Sequence, residues 1–378
     1  MADLDLAALR RWPDVEAENL FAYDAADRLL LATAEPLLAE LDGPDGAAIA
    51  VVNDHYGALT LSLAARGLTG VRVHQDPLSG ELALANNAVA LGLGGYRQHP
   101  LGPEMFDGVR LVLLQLPRSL DALEEIAGWI AGSAAPDVVV LAAGRVKHMT
   151  KAMNEVLGAA FGQVTAGLAR QKARVLTATR PVPAASSRFP LEESHDVGLP
   201  APLRLVAFGG TFGGAKLDVG TRFLLPLLDG ARDCRTAVDL GCGNGTIAAF
   251  LALRRPQLQV IATDQSASAV ASTKATAEAN GVAGRITVRR DDGLSGLADA
   301  SAELIVLNPP FHIGNAVHAG IALKLFADAG RVLAPGGELW TVWNSHLGYR
   351  PALHRLVGPT RQVARNSKFT ATVSVREG

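Results

Sequence analysis

The feature that most constrains the fold of this chain is a repeat. A buried strand, a short loop, a helix and a second strand occur in the same order in both halves, in nearly constant register. Gly57 stands 188 residues before Gly245, and Asp76 stands the same 188 before Asp264. Further on, Leu111-Val-Leu-Leu-Gln-Leu-Pro117 stands 193 residues before Leu304-Ile-Val-Leu-Asn-Pro-Pro310. Spacing kept over this length marks an internal duplication. In the second half, strands are expected at Thr236–Leu240, Leu258–Asp264, Ile286–Arg290, Ala302–Leu307 and Glu338–Trp343. Helices are expected over about Thr246–Arg254, Ser266–Asn280 and Ala319–Leu333. The first half repeats the strands at Ala48–Asn53, Val71–Asp76, Arg110–Pro117 and Asp137–Leu141. Short apolar runs alternating with helical stretches predict an α/β fold, with a doubly wound parallel sheet in each half.

Residues 181–203 hold five prolines with Ser and Gly, which suits neither a helix nor an interior strand. They read as a linker between a first domain, 1–180, and a second, 204–378, each large enough for its own core. With 49% hydrophobic and 19% charged residues among 378, the chain is no disordered polyelectrolyte. Two cysteines, Cys234 and Cys242, make neither a disulfide framework nor a four-ligand zinc site. The start, Met1-Ala2-Asp3-Leu4-Asp5, lacks the basic and apolar blocks of a signal peptide. The most apolar run, Val138–Ala143, is far short of the roughly 20 residues a bilayer needs. A cytoplasmic protein with no membrane partner and no metal is expected; its oligomeric state is left open, with a monomer slightly favoured.

The net charge of −2 hides an asymmetry. Residues 1–54 carry 3 Lys/Arg against 12 Asp/Glu, whereas Val156–Leu191 holds five basic residues and no acid, and Leu339–Arg376 six and no acid. Acid-free basic stretches suit an anionic partner such as RNA.

Asp239-Leu-Gly-Cys-Gly-Asn-Gly245 follows a strand and opens a helix. Glycines at 241, 243 and 245 let the backbone turn tightly and lie against a ligand. Asp264 ends the next strand, where it can accept from both hydroxyls of a ribose. The spacing GxGxG differs from the GxGxxG of nicotinamide and flavin proteins. Together these residues resemble the S-adenosylmethionine site of class I methyltransferases. The resemblance implies Asp239, Gly241, Cys242, Gly243, Asn244, Gly245, Asp264 and Gln265 as cofactor-binding, with Cys242 a packing residue. Asp292 falls where related enzymes bind the adenine amine, with adjacent Asp291 as its rival. Asp218, in Lys216-Leu-Asp-Val-Gly220, is the polar candidate of a lead-in that closes over the cofactor.

Asn308-Pro-Pro-Phe311 follows the strand Leu304–Leu307 and resembles motif IV of methyltransferases acting on planar amino nitrogens. The lone pair of such an amine is drawn into a π system, so it is a poor nucleophile. The Asn308 side-chain oxygen and the Pro309 carbonyl can each accept one N–H, holding the nitrogen and favouring pyramidal geometry. Pro309 and Pro310 fix the backbone, and Phe311 offers a face for stacking an extruded base. Asn308, Pro309, Pro310 and Phe311 are the catalytic candidates. Asn308 also borders the cofactor. His312 is either a proton acceptor or a residue that positions the loop or touches phosphate.

The first copy departs from this pattern. It reads Asn53-Asp-His-Tyr-Gly57, with His55 and Tyr56 expected to fill the pocket, and has Gln115-Leu-Pro117 in place of Asn-Pro-Pro. Two tandem methyltransferase-like halves, the first degenerate, the second bearing Asn308-Pro-Pro-Phe-His312, resemble the ribosomal RNA guanine-N2 methyltransferases. Phe212–Gly220 and Asn366-Ser-Lys-Phe369 add to the likeness, and Asn53–Leu59 with Gln115–Leu120 looks more like the large-subunit (23S) than the small-subunit (16S) branch. The family implies two Rossmann-like domains, S-adenosylmethionine as cofactor, ribosomal RNA as partner, and RNA recognition by the first domain. The alternatives are methylation of 16S rRNA, of a protein glutamine amide or of adenine N6. From another class, the chain is a catalytically silent RNA-binding or assembly module.

Overall fold

A computed structural model describes the chain except residues 1–3, 42–44, 183–186 and 311–314, together with the side chains of 315–319. It divides into two compact units, Met1–Phe189 and Pro190–Gly378.

The first unit is built on a seven-stranded sheet: β1 (Ile49–Val52), β2 (Val71–His74), β3 (Tyr96–Gln98), β4 (Leu111–Gln115), β5 (Val139–Arg145), β6 (Phe161–Ala166) and β7 (Ala173–Pro181). The second has β8 (Leu191–His195) and β9 (Leu203–Ala207) as a separate hairpin. Its main sheet is β10 (Thr236–Leu240), β11 (Gln259–Asp264), β12 (Ile286–Arg290), β13 (Ala302–Leu307), β14 (Leu333–Asn344), β15 (Thr360–Arg365) and β16 (Phe369–Val375). The sheet orders are β3-β2-β1-β4-β5-β7-β6 and β12-β11-β10-β13-β14-β16-β15, the same path taken twice. Five strands of each sheet run parallel and the last two close it as an antiparallel hairpin.

Central strands buried on both faces explain the continuous apolar runs. Along β1, Ile49 and Val51 enter one core while Ala50 and Val52 enter the other. Along β13, Leu304 and Val306 face one core, Ile305 and Leu307 the opposite one. Helices cover each face, so both first strands end in a crevice at the carboxyl edge, beside the fourth strand, where the winding reverses. Among the described residues no helix is long and apolar enough to cross a membrane, and no cluster of three or more His, Cys, Asp or Glu is placed to hold a metal.

The expected linker is only partly a connection. Leu191–His195 pairs antiparallel with Leu203–Ala207, and β9 is tied to the helix Ala267–Ala279 by Val206 N–H donating to Thr276 Oγ1 (2.9 Å) and Phe208 N–H to Ser272 Oγ (2.9 Å). Pro190, Pro200 and Pro202 lie just outside the paired segments, and exposed Glu192 and Glu193 leave β8 without an alternating apolar pattern. The closing hairpins of both sheets were likewise absent from the expected elements.

In the first unit, the helix Ala25–Glu40 begins with a capping box: Asp24 caps it, and Asp27 accepts from the Asp24 N–H (2.7 Å). Asp27 also accepts from Gln115 Nε2, at the end of β4. Burial, aided by the charge of Asp54, pushes the Asp27 carboxyl up to about 8. A folded-state value raised above the unfolded one gives stability that is present below about pH 4 and lost as pH rises through 8. Calorimetric melting temperatures should therefore fall across that window, and Asp27→Asn should flatten the slope. Asp54 and Asp239, raised by burial to about 6 and about 7, leave a smaller slope of the same sign.

Candidate active site

The crevice of the second unit begins where β10 ends. Gly241, Gly243 and Gly245 take left-handed backbone angles (φ 73°, 55° and 80°), which side chains resist by about 1–3 kcal/mol each. A Cβ on Gly245 would meet Thr273 Cα at 3.0 Å, so the helix Thr246–Arg254 packs on its neighbour only through glycine. At Gly241 and Gly243 a Cβ would meet nothing within 4 Å: their bare faces border open space. The N–H groups of Gly241 and Cys242 both donate to the Thr263 carbonyl (2.8 and 3.0 Å), pinning the loop to β11.

Two carboxylates frame this cradle. Asp264 accepts Gly243 N–H on Oδ2 (3.0 Å) and Ser266 N–H on Oδ1 (2.9 Å). Asp239 is fully buried; its Oδ2 accepts Ala248 N–H (2.9 Å), while Oδ1 has no partner among the described residues. Burial first, and the charge of Asp264 second, raise its pKa to about 7. Cys242 is buried in the core, with Thr273 Oγ1 3.1 Å from its sulfur, and burial raises its thiol well above the usual range, which suits packing and not nucleophilic attack. Asn244 is committed to structure. Its Nδ2 donates to the Gly214 and Lys216 carbonyls (3.0 and 3.1 Å), and its Oδ1 accepts from Thr246, so it ties the lead-in to the glycine loop. The Gln265 carbonyl accepts from Arg290 Nε (3.2 Å).

Between the two acids after β12 the geometry makes a distinction. Asp291 is buried and closes a turn, accepting from Ser295 Oγ and from Gly296 N–H (2.9 Å). Asp292 reaches outward to Lys324 on the helix Asn315–Val332. Of the two, Asp292 is the one not committed to the turn.

Asn308, just past β13, has its amide orientation set by its partners. Its Nδ2 donates to Asp218 Oδ1 (2.8 Å) and Thr221 Oγ1 (2.9 Å). A carboxylate only accepts, so the nitrogen must face Asp218 and the oxygen the other way. That oxygen is buried and has no partner among the described residues. Asp218 caps the helix Val219–Leu224 through Thr221 N–H (2.8 Å). A Cβ on Gly220 would meet Asp218 Oδ1 at 3.1 Å, Phe369 Cε1 at 3.2 Å and Asn308 Oδ1 at 3.6 Å. Pro309 is buried and Pro310 exposed. Phe311 and His312 lie outside the described residues. Sequence reasoning missed Thr221, whose only signal is its place three residues after a helix-capping Asp, and Lys324.

The first unit keeps this backbone with only the last of the three glycines. Asn53, His55 and Gly57 occupy the positions of Gly241, Gly243 and Gly245 and take the same left-handed angles (φ 61°, 54° and 100°). Asp54 caps the following helix, Ala58–Ala65, through Leu59 and Thr60 N–H (both 2.8 Å). Of the two side chains expected to fill the pocket, Tyr56 is engaged: its hydroxyl donates to Asp14 (2.6 Å) and the Arg11 guanidinium lies 4.5 Å from its ring centroid. His55 remains exposed, and the segment that meets Tyr56 is held by Arg10 N–H donating to Asn87 Oδ1 (2.9 Å) and Arg11 to Asp14 (3.0 Å). Gln115, at the position of Asn308, spends its amide on Asp27.

Comparison with known proteins agrees with this division. Residues 2–182 match the model of the RLMG N-terminal domain, and residues 202–372 that of the methyltransferase small domain. A Streptomyces coelicolor ribosomal RNA large subunit methyltransferase G is 36% identical over 375 residues, 98% of each chain. The chain belongs to the ribosomal RNA large subunit methyltransferase G family. The Pseudomonas aeruginosa member of the family is 38% identical, covering 97% of this chain and 96% of its own. The fold is shared with the 16S rRNA N2 methyltransferase of T. thermophilus, solved with AdoMet and guanosine: TM-score 0.74, 22% identity, 94% of this chain and 92% of that one.

The loop geometry separates two glycines by experiment. Gly245→Ala combines left-handed strain with a backbone collision, whereas Gly241→Ala carries strain alone. Chemical denaturation should show Gly245→Ala losing more than about 2 kcal/mol and Gly241→Ala roughly 1 kcal/mol.

Proposed function

We propose that this chain transfers a methyl group from S-adenosylmethionine to the exocyclic N2 amine of a guanine in 23S ribosomal RNA. The observation that carries the reading is the Asn308 oxygen: a buried acceptor, aimed by Asp218 and Thr221, with no hydrogen bond of its own among the described residues. The family names and the guanosine complex of the T. thermophilus neighbour support the substrate class.

The residues of the cradle fit the cofactor. Gly241 and Gly243 leave room for a ligand against the backbone, the unpartnered Asp239 Oδ1 suits an ammonium group, and Asp264 at the end of β11 suits a ribose. When bound, S-adenosylmethionine supplies an electrophilic methyl on a sulfonium whose departure leaves a neutral thioether. Asn308 Oδ1 accepts one N–H of the target amine, loosening its conjugation and holding its lone pair in line. Asp218 acts through Asn308: its negative charge polarises the amide and strengthens the acceptor where positive charge develops on nitrogen. Thr221 fixes the amide plane. Asp292 accepts the adenine amine, and Phe311 is the residue whose ring the reading assigns to stacking on the base.

The first unit serves RNA recognition in this reading. The turn between β6 and β7 exposes Arg170 and Lys172, and Leu168 there is 84% exposed. In the second unit β15 and the turn after it expose Arg361, Arg365 and Lys368. Binding that rests on such phosphate contacts should weaken steeply with salt.

Mapping the N2-methylguanine lost from rRNA in a deletion strain tests the function directly; a mark lost from 16S rRNA instead would overturn the large-subunit assignment. Asn308→Ala should slow single-turnover methylation about 100–1000-fold while cofactor affinity changes little. Turnover within a few-fold of wild type would remove Asn308 from the mechanism. Cofactor affinity should also depend on pH. Asp239 must be ionised to hold an ammonium group, so the dissociation constant should rise as pH falls below about 7, and Asp239→Asn should weaken binding and abolish that dependence.

A further inference from the structure

We infer that Asn344 reads the N1–H of the target guanine, next to the amine held by Asn308. This rests on the proposed guanine reading and deepens it to a second recognition residue. Asn344 ends β14, the strand beside β13. Leu307 pairs with Thr341 across these strands, which sets Asn308 level with Val342. Leu304, Val306, Trp340 and Val342 all enter one core cluster. Side chains alternate along a strand, so Asn308 and Asn344 continue those two rows on the same face, at the carboxyl edge. One strand over and two residues further along places their Cα atoms roughly 8 Å apart.

Phe369 joins the two asparagines. It is the register partner of Asn344 in β16, and its Cε1 lies 3.2 Å from the Cβ position of Gly220, which is itself 3.6 Å from Asn308 Oδ1. Asn344 Oδ1 is buried and, like Asn308 Oδ1, has no hydrogen-bond partner among the described residues. Two desolvated amide oxygens on one face, at the ends of adjacent strands, are uncompensated until something donates to both. Guanine does so from neighbouring atoms: N1–H and the N2 amine stand side by side on its Watson–Crick edge. Asn308 takes the amine that reacts, and Asn344 takes the proton that does not. A purine whose N1 carries a lone pair sets acceptor against acceptor at Asn344.

The test uses the full-length protein and an RNA fragment spanning the mapped guanine, made with guanine or with 2-aminopurine at that position. 2-Aminopurine keeps the exocyclic amine but lacks N1–H and O6. Wild type should methylate the guanine RNA about 10–100-fold faster, the span expected for one buried hydrogen bond. Asn344→Leu should lose that much rate on guanine and bring the ratio of the two RNAs close to 1. Its melting temperature should not fall, because the substitution removes a buried polar atom that has no partner. Asn344→Ala should behave alike on both RNAs if leucine crowds Phe369. A variant that keeps the wild-type ratio, or that slows both RNAs equally while melting earlier, overturns the role of Asn344 and leaves the guanine reading standing. Absence of N2 methylation by wild type overturns both.

Discussion

Everything in the site depends on three alternating left-handed residues between a buried strand and the helix that follows it. The chain leaves β10 heading out of the sheet and must enter Thr246–Arg254 within five residues. Left-handed angles at 241, 243 and 245 make the reversal, and only glycine makes it without strain and without filling the space in front of the loop. The same turn brings Ala248 N–H onto Asp239 and Gly243 N–H onto Asp264, so backbone conformation places both acids at once. Asn244 then extends this order to the lead-in segment, whose Asp218 orients Asn308. Cradle, acids and acceptor thus form one chain of constraints.

The two units solve a shared mechanical problem with different chemistry. In each, the amide at the end of the fourth strand bonds an acid at the start of the lead-in helix: Gln115 with Asp27, Asn308 with Asp218. In the first unit the acid and the glutamine are both buried. In the second, Asp218 is exposed and the shorter asparagine leaves its oxygen for another donor. One methylene of side-chain length separates an amide bonded to a buried acid from one that offers an acceptor.

Much of this was legible in the residues. β10 and β13 were expected at their observed ends, because central parallel strands are bounded apolar runs with turn residues on either side, and the edge strand β12 from the alternation of Ile286 and Val288 with polar neighbours. The turn of the glycine loop and the places of Asp264 and Asn308 at the ends of their strands were legible as well, from the glycine spacing and the bounds of the strands. β8 was not, because an exposed strand whose identity comes from its partner carries little pattern of its own. The bond of Thr221 to Asn308 and the place of Asn344 beside Phe369 were hidden for a related reason: each depends on a distant segment. Asn244 shows the converse: spacing places it in the glycine loop, and its side chain bonds the Gly214 and Lys216 carbonyls and Thr246.

The left-handed Asn53 and His55 carry an evolutionary consequence. Once a glycine loop has lost its ligand, side chains return freely, yet the path of the backbone does not relax with them. The helix after the loop and the sheet before it were already packed around that path, and abandoning it would have meant rebuilding the core. The first unit therefore keeps the turn of a glycine loop on Asn53 and His55, two residue types that take left-handed angles more readily than most. Conformation has outlasted composition. In duplicated domains of this kind, a left-handed angle shared at matching positions is a more durable record of common origin than the residues that hold it.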